Sequence, residues 1–511
     1  MPSYASRYAP RARSRSRALA LALSASAVAA TLTAAATPAS AAPAPLAWRS
    51  CAQEQGPREQ ECADLSVPLD YRDPGGERVR IAVSRLRSDR PAARRGTLLL
   101  LAGGPGSSGV QRLTQKGAAL RAATEGAYDI VTLDPRGVGG STKKGCGIAP
   151  ADRYMVTLRG WPGPDGEIGE NAARGRRVAE ACHRNGGALV ASYTTANEVR
   201  DIESLRRAVG AEKLSAWGTS YGAYVGAVYA QRHPGRTDRW VLDSAGDPDP
   251  RRLARGWLAN MARGAEDRFP DFAAWAADPA RGELRLAERP ERVRGLFLDL
   301  AARLDRAPRA TATAPLTGNT LRQALQLALY GGDGPFTELA RLIRDAGDPE
   351  ATPVLPAALS GPMPDEDAAV TVAGICNDVA MPGDLAAYER AVRADRARHP
   401  LTAGMTANVL PCAFWKDVTH EKPVRITGRG PSNVLIVQNL RDPATPYAGA
   451  QKLREAFGPR ARMVAVDSGG HGSYLGTGNA CGNTLVSRFL TEGRRPAGDV
   501  LCAADWSGRM N

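Results

Sequence analysis

The chain has 511 residues with 67 Lys and Arg against 53 Asp and Glu, a formal charge of +14. Five of those charges are arginines within the first 17 residues, and without them the excess falls to +9. The remainder is interleaved with acids in stretches such as "RRLARGWLANMARGAEDR". There is no arginine–aromatic stripe and no zinc-finger or helix-turn-helix spacing, so the basicity describes a solvated surface and not a nucleic-acid interface.

In chain order, the first element is a leader. Arg7, Arg11, Arg13, Arg15 and Arg17 precede the apolar run "ALALALSASAVAATLTAAAT" and the small-residue site "PASA", and no acid occurs before Glu54. A basic region, an apolar region and an A-x-A site predict export with cleavage after Ala41. An uncleaved anchor is the alternative, but the Ala-rich run is marginal for spanning a bilayer. No other stretch approaches 18 apolar residues, so no stable membrane association is expected.

About 470 mature residues exceed one ordinary core, which suggests two domains. From residue 42 to 250 strand and helix alternate. "GTLLLLAGG" is an apolar strand entering a glycine loop, "YDIVTLDPRGVGGS" a strand and turn, and "ANEVRDIESLRRAVG" a helix ended by Gly210. Apolar strands separated by helices predict an α/β fold with a mostly parallel central sheet covered on both faces. From residue 251 to 421 Ala, Arg, Leu, Asp and Pro dominate and strand-like runs are few, which predicts a helical lid inserted into the sheet domain. The strand–helix rhythm resumes over 422–511 with "NVLIVQNLRDPATPYAGAQKLREAFG" and "ARMVAVDSGGHGSY".

Within this frame "LSAWGTSYGAYVG" places Ser220 between Gly218 and Gly222. In a chain with 54 glycines G-x-S-x-G alone is weak, but a strand before it and a helix of small residues after it are the context of a nucleophile elbow. A serine hydroxyl needs a base and an orienting acid. His471 sits in "SGGHGSY" after the predicted final strand and is the expected base. His183, His233, His399 and His420 read as surface or capping residues. Asp442, in "RDPATP" one strand–helix unit earlier, is the expected acid. Asp243 after "RWVL" competes, with a turn role as its structural reading, and Asp467 is too close in sequence to His471. Thr445 either bonds Asp442 or caps the next helix. The oxyanion hole is expected from the backbone N–H groups of Gly104, in "AGGPGSSG", and Tyr221. That glycine loop lacks both the Lys-Ser/Thr ending and the G-x-G-x-x-G spacing of phosphate-binding loops.

Cys51, Cys62, Cys146, Cys182, Cys376, Cys412, Cys481 and Cys502 predict disulfides in an exported chain. Pairing in sequential order is expected, because each bridge then closes a modest loop within one region. With no C-x-x-C, and the histidines far from cysteine clusters apart from Cys182-His183, no metal is expected, and the serine chemistry needs no organic cofactor.

The ordered set "GGPGSSG", "DPRGVGGS", "GTSYGAYVG", "LDSAGDP", "RDPATP" and "GGHG" resembles secreted actinobacterial tripeptidyl aminopeptidases, α/β-hydrolase serine peptidases related to proline iminopeptidase. The likeness covers most of residues 98–474. Ala102 stands where the iminopeptidase relatives have the histidine of His-Gly-Gly-Pro-Gly. The resemblance implies Ser220, Asp442 and His471 as the triad, and release of short peptides, typically tripeptides, from the free N-termini of peptide or protein substrates. Such an enzyme must hold an α-ammonium, and by analogy a lid carboxylate does so; Asp378, which a bridge at Cys376 would pin, is a candidate among many lid acids, with a solvated surface acid as the alternative. A carboxylesterase or lipase would use the same triad, and a non-catalytic scaffold would not need it intact.

Overall fold

The apolar runs of the sequence become the centre of one sheet. The computed structural model describes residues 45–51, 55–153, 159–250, 253–416, 421–476 and 479–504. The expected leader and His420 lie outside these residues. Three strands start the chain: β1 (Arg49–Ser50), β2 (Glu61–Pro68) and β3 (Arg78–Leu86). They pair antiparallel, and β2 buries Ala63, Leu65 and Val67 while Asp64 and Ser66 face water. That alternation marks a sheet edge with one wet face.

The chain then alternates through β4 (Gly96–Leu101), α1 (Gly109–Ala123) and β5 (Tyr128–Leu133). It continues with α2 (Gly169–Asn185), α3 (Gly187–Ala191), α4 (Thr195–Ala208), β6 (Leu214–Thr219), α5 (Tyr221–Arg232) and β7 (Thr237–Asp243). Between β7 and the next sheet strand the described residues hold α6 (Leu253–Ala277), α7 (Pro290–Arg306), α8 (Gly318–Leu329), α9 (Asp333–Gly347), α10 (Asp365–Cys376) and α11 (Leu385–Arg398). The only β pairing among the described residues there is an isolated bridge, Arg309 to Leu316. The sheet resumes with β8 (Val434–Arg441), α12 (Tyr447–Phe457), β9 (Ala461–Gly469), α13 (Ala480–Glu492) and β10 (Val500–Cys502).

The spatial order is β1-β2-β3-β5-β4-β6-β7-β8-β9-β10, and the strands from β5 to β10 along that order run parallel. Because β4 lies between β5 and β6, the loops leaving the carboxyl ends of β4 and β6 meet at a reversal of strand order. Such reversals are where open parallel sheets place their ligand crevices. β7 lies between β6 and β8, and β9 follows β8, so the loops after all four strands open on one edge.

The inserted helices use two cores. Phe269, Phe272, Phe297, Leu300, Leu321, Leu339 and Ile343, from α6 to α9, form a cluster of their own. α10 instead buries Ala369, Val370, Val372, Ala373 and Ile375 in the core of the sheet. Its sequence, "DEDAAVTVAGIC", is apolar almost all round after the first turn, so it must be covered on several sides. Pro43–Asn511 accordingly clusters as one compact unit.

All eight cysteines are paired, as Cys51–Cys62, Cys146–Cys182, Cys376–Cys412 and Cys481–Cys502. Cys376–Cys412 ties the end of α10 to the turn Pro411–Phe414, and Cys481–Cys502 ties α13 to β10. Each closes a loop of a size that stabilises by about 3 kcal/mol in the chain-entropy model. No helix among the described residues is long and apolar enough to cross a membrane.

Candidate active site

Every residue of β6 is buried, and the chain turns sharply at its end. Ser220 has φ +61° and ψ −123°, a conformation that L residues rarely adopt and that marks stored strain. Ser220 N–H donates to the Asp243 carbonyl at 2.9 Å, which holds the turn against β7. The flanking glycines are set by close approach. A Cβ on Gly218 would lie 2.4 Å from the Gly222 carbonyl oxygen, and one on Gly222 would lie 2.4 Å from that of Ala102.

The loop after β4 crosses directly over this serine. A Cβ on Gly103 would lie 3.1 Å from Ser220 Cβ and 3.6 Å from Ser220 Oγ. Gly104 follows at φ +115°, and Ser108 closes the loop by accepting the Gln111 N–H at 3.0 Å as the cap of α1. The N–H groups of Gly104 and Tyr221 have no hydrogen-bond acceptor among the described residues. Gly104 follows Gly103, which packs against Ser220, and Tyr221 follows Ser220 in the chain.

The loops after β8 and β9 bring Asp442 and His471 together. His471 Nδ1 lies 2.9 Å and 3.0 Å from the two Asp442 carboxylate oxygens. Asp442 is 1% exposed and is itself fixed. Its Oδ1 accepts the N–H groups of Ala444 and Thr445 at 2.8 and 2.9 Å, and its Oδ2 accepts the Thr445 hydroxyl at 3.1 Å. Thr445 thus bonds Asp442 with both backbone and side chain. Burial pulls the His471 imidazole down, but the charge and hydrogen bond of Asp442 outweigh it, and the pKa stands above its ordinary 6.5. A base must be neutral to accept a proton. The acid limb of kcat/KM against pH is therefore expected above about 6.5, with activity lost as pH falls through it; a limb below that value contradicts the pairing.

Asp243 does not reach the imidazole. Its buried carboxylate accepts the N–H groups of Ser473 and Tyr474 at 2.8 and 3.0 Å and the Trp217 indole N–H at 3.1 Å. Ser244 Oγ accepts Gly472 N–H at 2.9 Å. The pair grips the three residues after His471, a role that sequence spacing does not reveal. His471 N–H donates to the Tyr330 carbonyl at 2.9 Å, so the inserted helices also hold this loop. Asp467 pairs with Arg441 at 2.6 Å, and His399 Nδ1 with Asp395 at 2.8 Å. His233 lies against the Tyr229 ring, and His183 is in the last turn of α2.

Ser220 and His471 open on one cavity of about 860 Å³. No hydrogen bond joins them among the described residues. The sheet side of the cavity presents Arg112, Lys143 and Arg159, and the inserted helices present Met261, Tyr330 and Asp367. No group of three or more metal-ligating side chains occurs among the described residues.

Asp378 is not on this cavity. It borders a separate void of about 20 Å³ with Thr195, Tyr224 and Arg232. Both of its carboxylate oxygens accept Thr195 N–H at 3.2 Å, at the start of α4. Burial pushes its pKa up to about 7, partly offset by the Thr195 bonds. The reason is local: Asn377 Nδ2 donates to the carbonyls of Val190 and Tyr193 at 2.8 and 3.1 Å, turning the chain inward beyond α10. Asp378 thus caps a helix N-terminus, where a carboxylate is favourable. The inserted helices offer the cavity Asp367 instead, in the first turn of α10. In sequence, "DED" at a helix start reads only as favourable helix-end charge.

The sequence profile of the family described as TAP-like protein matches residues 399–502. The tripeptidyl aminopeptidase of Streptomyces lividans is 34% identical over 477 residues, covering 90% of this chain and 86% of that one. Serine protease Hip1 of Mycobacterium bovis is 26% identical, covering 90% and 91%. Among solved structures, proline iminopeptidase of Mycobacterium smegmatis aligns with a TM-score of 0.38 and 17% identity over 84% of this chain and 98% of that one. The first of these likenesses spans 90% of the chain at 34% identity, and by it the chain belongs to the tripeptidyl aminopeptidase family of α/β-hydrolase serine peptidases.

Proposed function

We propose that this protein is an exported exopeptidase that removes tripeptides from free N-termini through an acyl-enzyme formed on Ser220. One observation carries the reading: a buried carboxylate, Asp442, holds His471 through Nδ1, while the imidazole and the strained Ser220 open on the same cavity, partly walled by inserted helices. With Nδ1 engaged, Nε2 is left to take the Ser220 proton as Oγ attacks the scissile carbonyl. The oxyanion forms against the N–H groups of Gly104 and Tyr221, which need no reorganisation to receive it. His471 then protonates the departing amine, and water entering from the cavity releases the acyl product.

Residues 251–421 act as the lid between the two parts of the catalytic domain, 42–250 and 422–511. The lid side of an 860 Å³ cavity limits how much of the substrate's N-terminal side can enter, and the volume lies in the usual range for a ligand-enclosing site. Asp367 replaces Asp378 as the carboxylate that holds the α-ammonium. Asp367→Asn is expected to narrow the kcat/KM ratio of a free tripeptide anilide over its N-acetylated twin by about tenfold or more. An unchanged ratio removes Asp367 from this role. Four disulfides and the basic–apolar leader support export.

The reading is tested with three substrates: a tripeptide anilide with a free N-terminus, its N-acetylated form and a short-chain nitrophenyl ester. Strong preference for the free amine is expected. Indifference to acetylation with dominant ester cleavage would make the enzyme a carboxylesterase.

A further inference from the structure

Arg112 has no role in the chemistry described above, yet it lines the reaction cavity. It lies in the first turn of α1, just beyond the loop that crosses Ser220. Other arginines withdrawn from water have acceptors: Arg136 pairs with Asp201 at 2.8 Å, Arg206 with Glu203 at 2.7 Å and Arg322 with Asp305 at 2.8 Å, and Arg460 donates to the carbonyls of Pro431 and Arg429 at 3.1 and 2.9 Å. The half-buried guanidinium of Arg112 has neither an ion pair nor a hydrogen bond among the described residues. It stands over the fully buried Trp217 ring, with Arg112 Cζ 5.6 Å from the ring centroid. A guanidinium stays charged at any working pH, and its desolvation is unfavourable until an anion arrives.

The other cations of the cavity differ. Arg159 donates to the Tyr330 hydroxyl at 2.9 Å and lies over that ring, and Lys143 is exposed. Against these three cations the described residues that line the cavity include one carboxylate, Asp367. The balance favours a ligand that carries an anionic group as well as an ammonium.

The neighbours of Arg112 point to the end of the substrate that group belongs to. Trp217, beside the guanidinium, donates to Asp243, and Asp243 holds Ser473 and Tyr474 directly after His471. Arg112 and His471 line the same cavity. His471 must deliver its proton to the leaving nitrogen, so the space beside the imidazole receives the departing segment.

We propose that Arg112 is a specificity residue for the leaving side of the scissile bond, binding a carboxylate carried next to the departing nitrogen, foremost the α-carboxylate of a single leaving amino acid. This rests on the exopeptidase reading above. A planar fork of donors matches a carboxylate bidentately, while Asp367 holds the opposite charge at the other end. The enzyme is thereby suited to short peptides, with tetrapeptide acids as favoured substrates.

The test compares kcat/KM for a tetrapeptide acid and its C-terminal amide, in wild-type protein and Arg112→Gln. The wild type is expected to prefer the acid by about tenfold or more, and Arg112→Gln to bring the ratio close to one. A wild-type ratio near one, or a ratio that survives Arg112→Gln, overturns the assignment. Should Arg112→Gln be recovered unfolded, Arg112→Lys serves: it keeps a charge but loses the fork, so the ratio is expected to fall by about threefold or more, and an unchanged ratio contradicts the proposal. Failure of the exopeptidase reading is distinct, because it appears as indifference to acetylation at the N-terminus in the wild type.

Discussion

Ser220→Ala is expected to lower kcat by about 10⁶-fold and to abolish labelling by a fluorophosphonate, with the fold retained. The magnitude follows from the way a nucleophile, a base and an acid act as one unit, so that loss of the nucleophile alone removes nearly all they supply together. What remains is the contribution of the oxyanion donors and of binding. Alanine keeps the Cβ and removes only the Oγ. The backbone bond from residue 220 to the Asp243 carbonyl and the close approach at Gly218 and Gly222 do not involve that hydroxyl. Thermal unfolding of the variant should therefore stay close to wild type, which separates a chemical loss from a folding loss. Labelling that persists in a folded Ser220→Ala protein would place the nucleophile elsewhere.

Asp442→Asn is expected to lower kcat by about 10⁴-fold while leaving KM nearly unchanged. The amide would turn an N–H toward His471 Nδ1 or offer a weaker acceptor, so the imidazole loses the tautomer that leaves Nε2 free for the Ser220 proton. The N–H groups of Ala444 and Thr445 hold one carboxylate oxygen and would hold the amide oxygen, so the side chain keeps its place. Asp243→Asn is the informative comparison. Its carboxylate accepts two backbone N–H groups and an indole N–H, and an amide cannot accept all of them. Its main effect is expected on stability and on the ordering of the His471 loop. A kcat loss for Asp243→Asn equal to that of Asp442→Asn, without loss of stability, would exchange the two assignments.

The elbow was legible because its requirement is local: a strand, a turn that only small neighbours permit and a helix, all within "LSAWGTSYGAYVG". His471 and Asp442 were legible because each follows an apolar strand, and neighbouring parallel strands end side by side. The role of Asp243 was not legible, since its partners Trp217, Ser473 and Tyr474 come from two distant segments. The position of Asp378 was not legible for a related reason. Its neighbour Cys376 is indeed pinned to Cys412, but Asn377 bonds the chain before α4 and turns the carboxylate away from the cavity. Asp367 and Arg112 gave no signal at all. In sequence each is a charged residue in the first turn of a helix, and only the tertiary packing of α10 and α1 brings them to one cavity.

The most direct measurement is mass analysis of the products released with time from a nine-residue peptide with a free N-terminus. Successive loss of three-residue fragments from that end, blocked by acetylation, is the result this account predicts. Release of single residues, cleavage inside the peptide, or equal digestion of the acetylated peptide would contradict it.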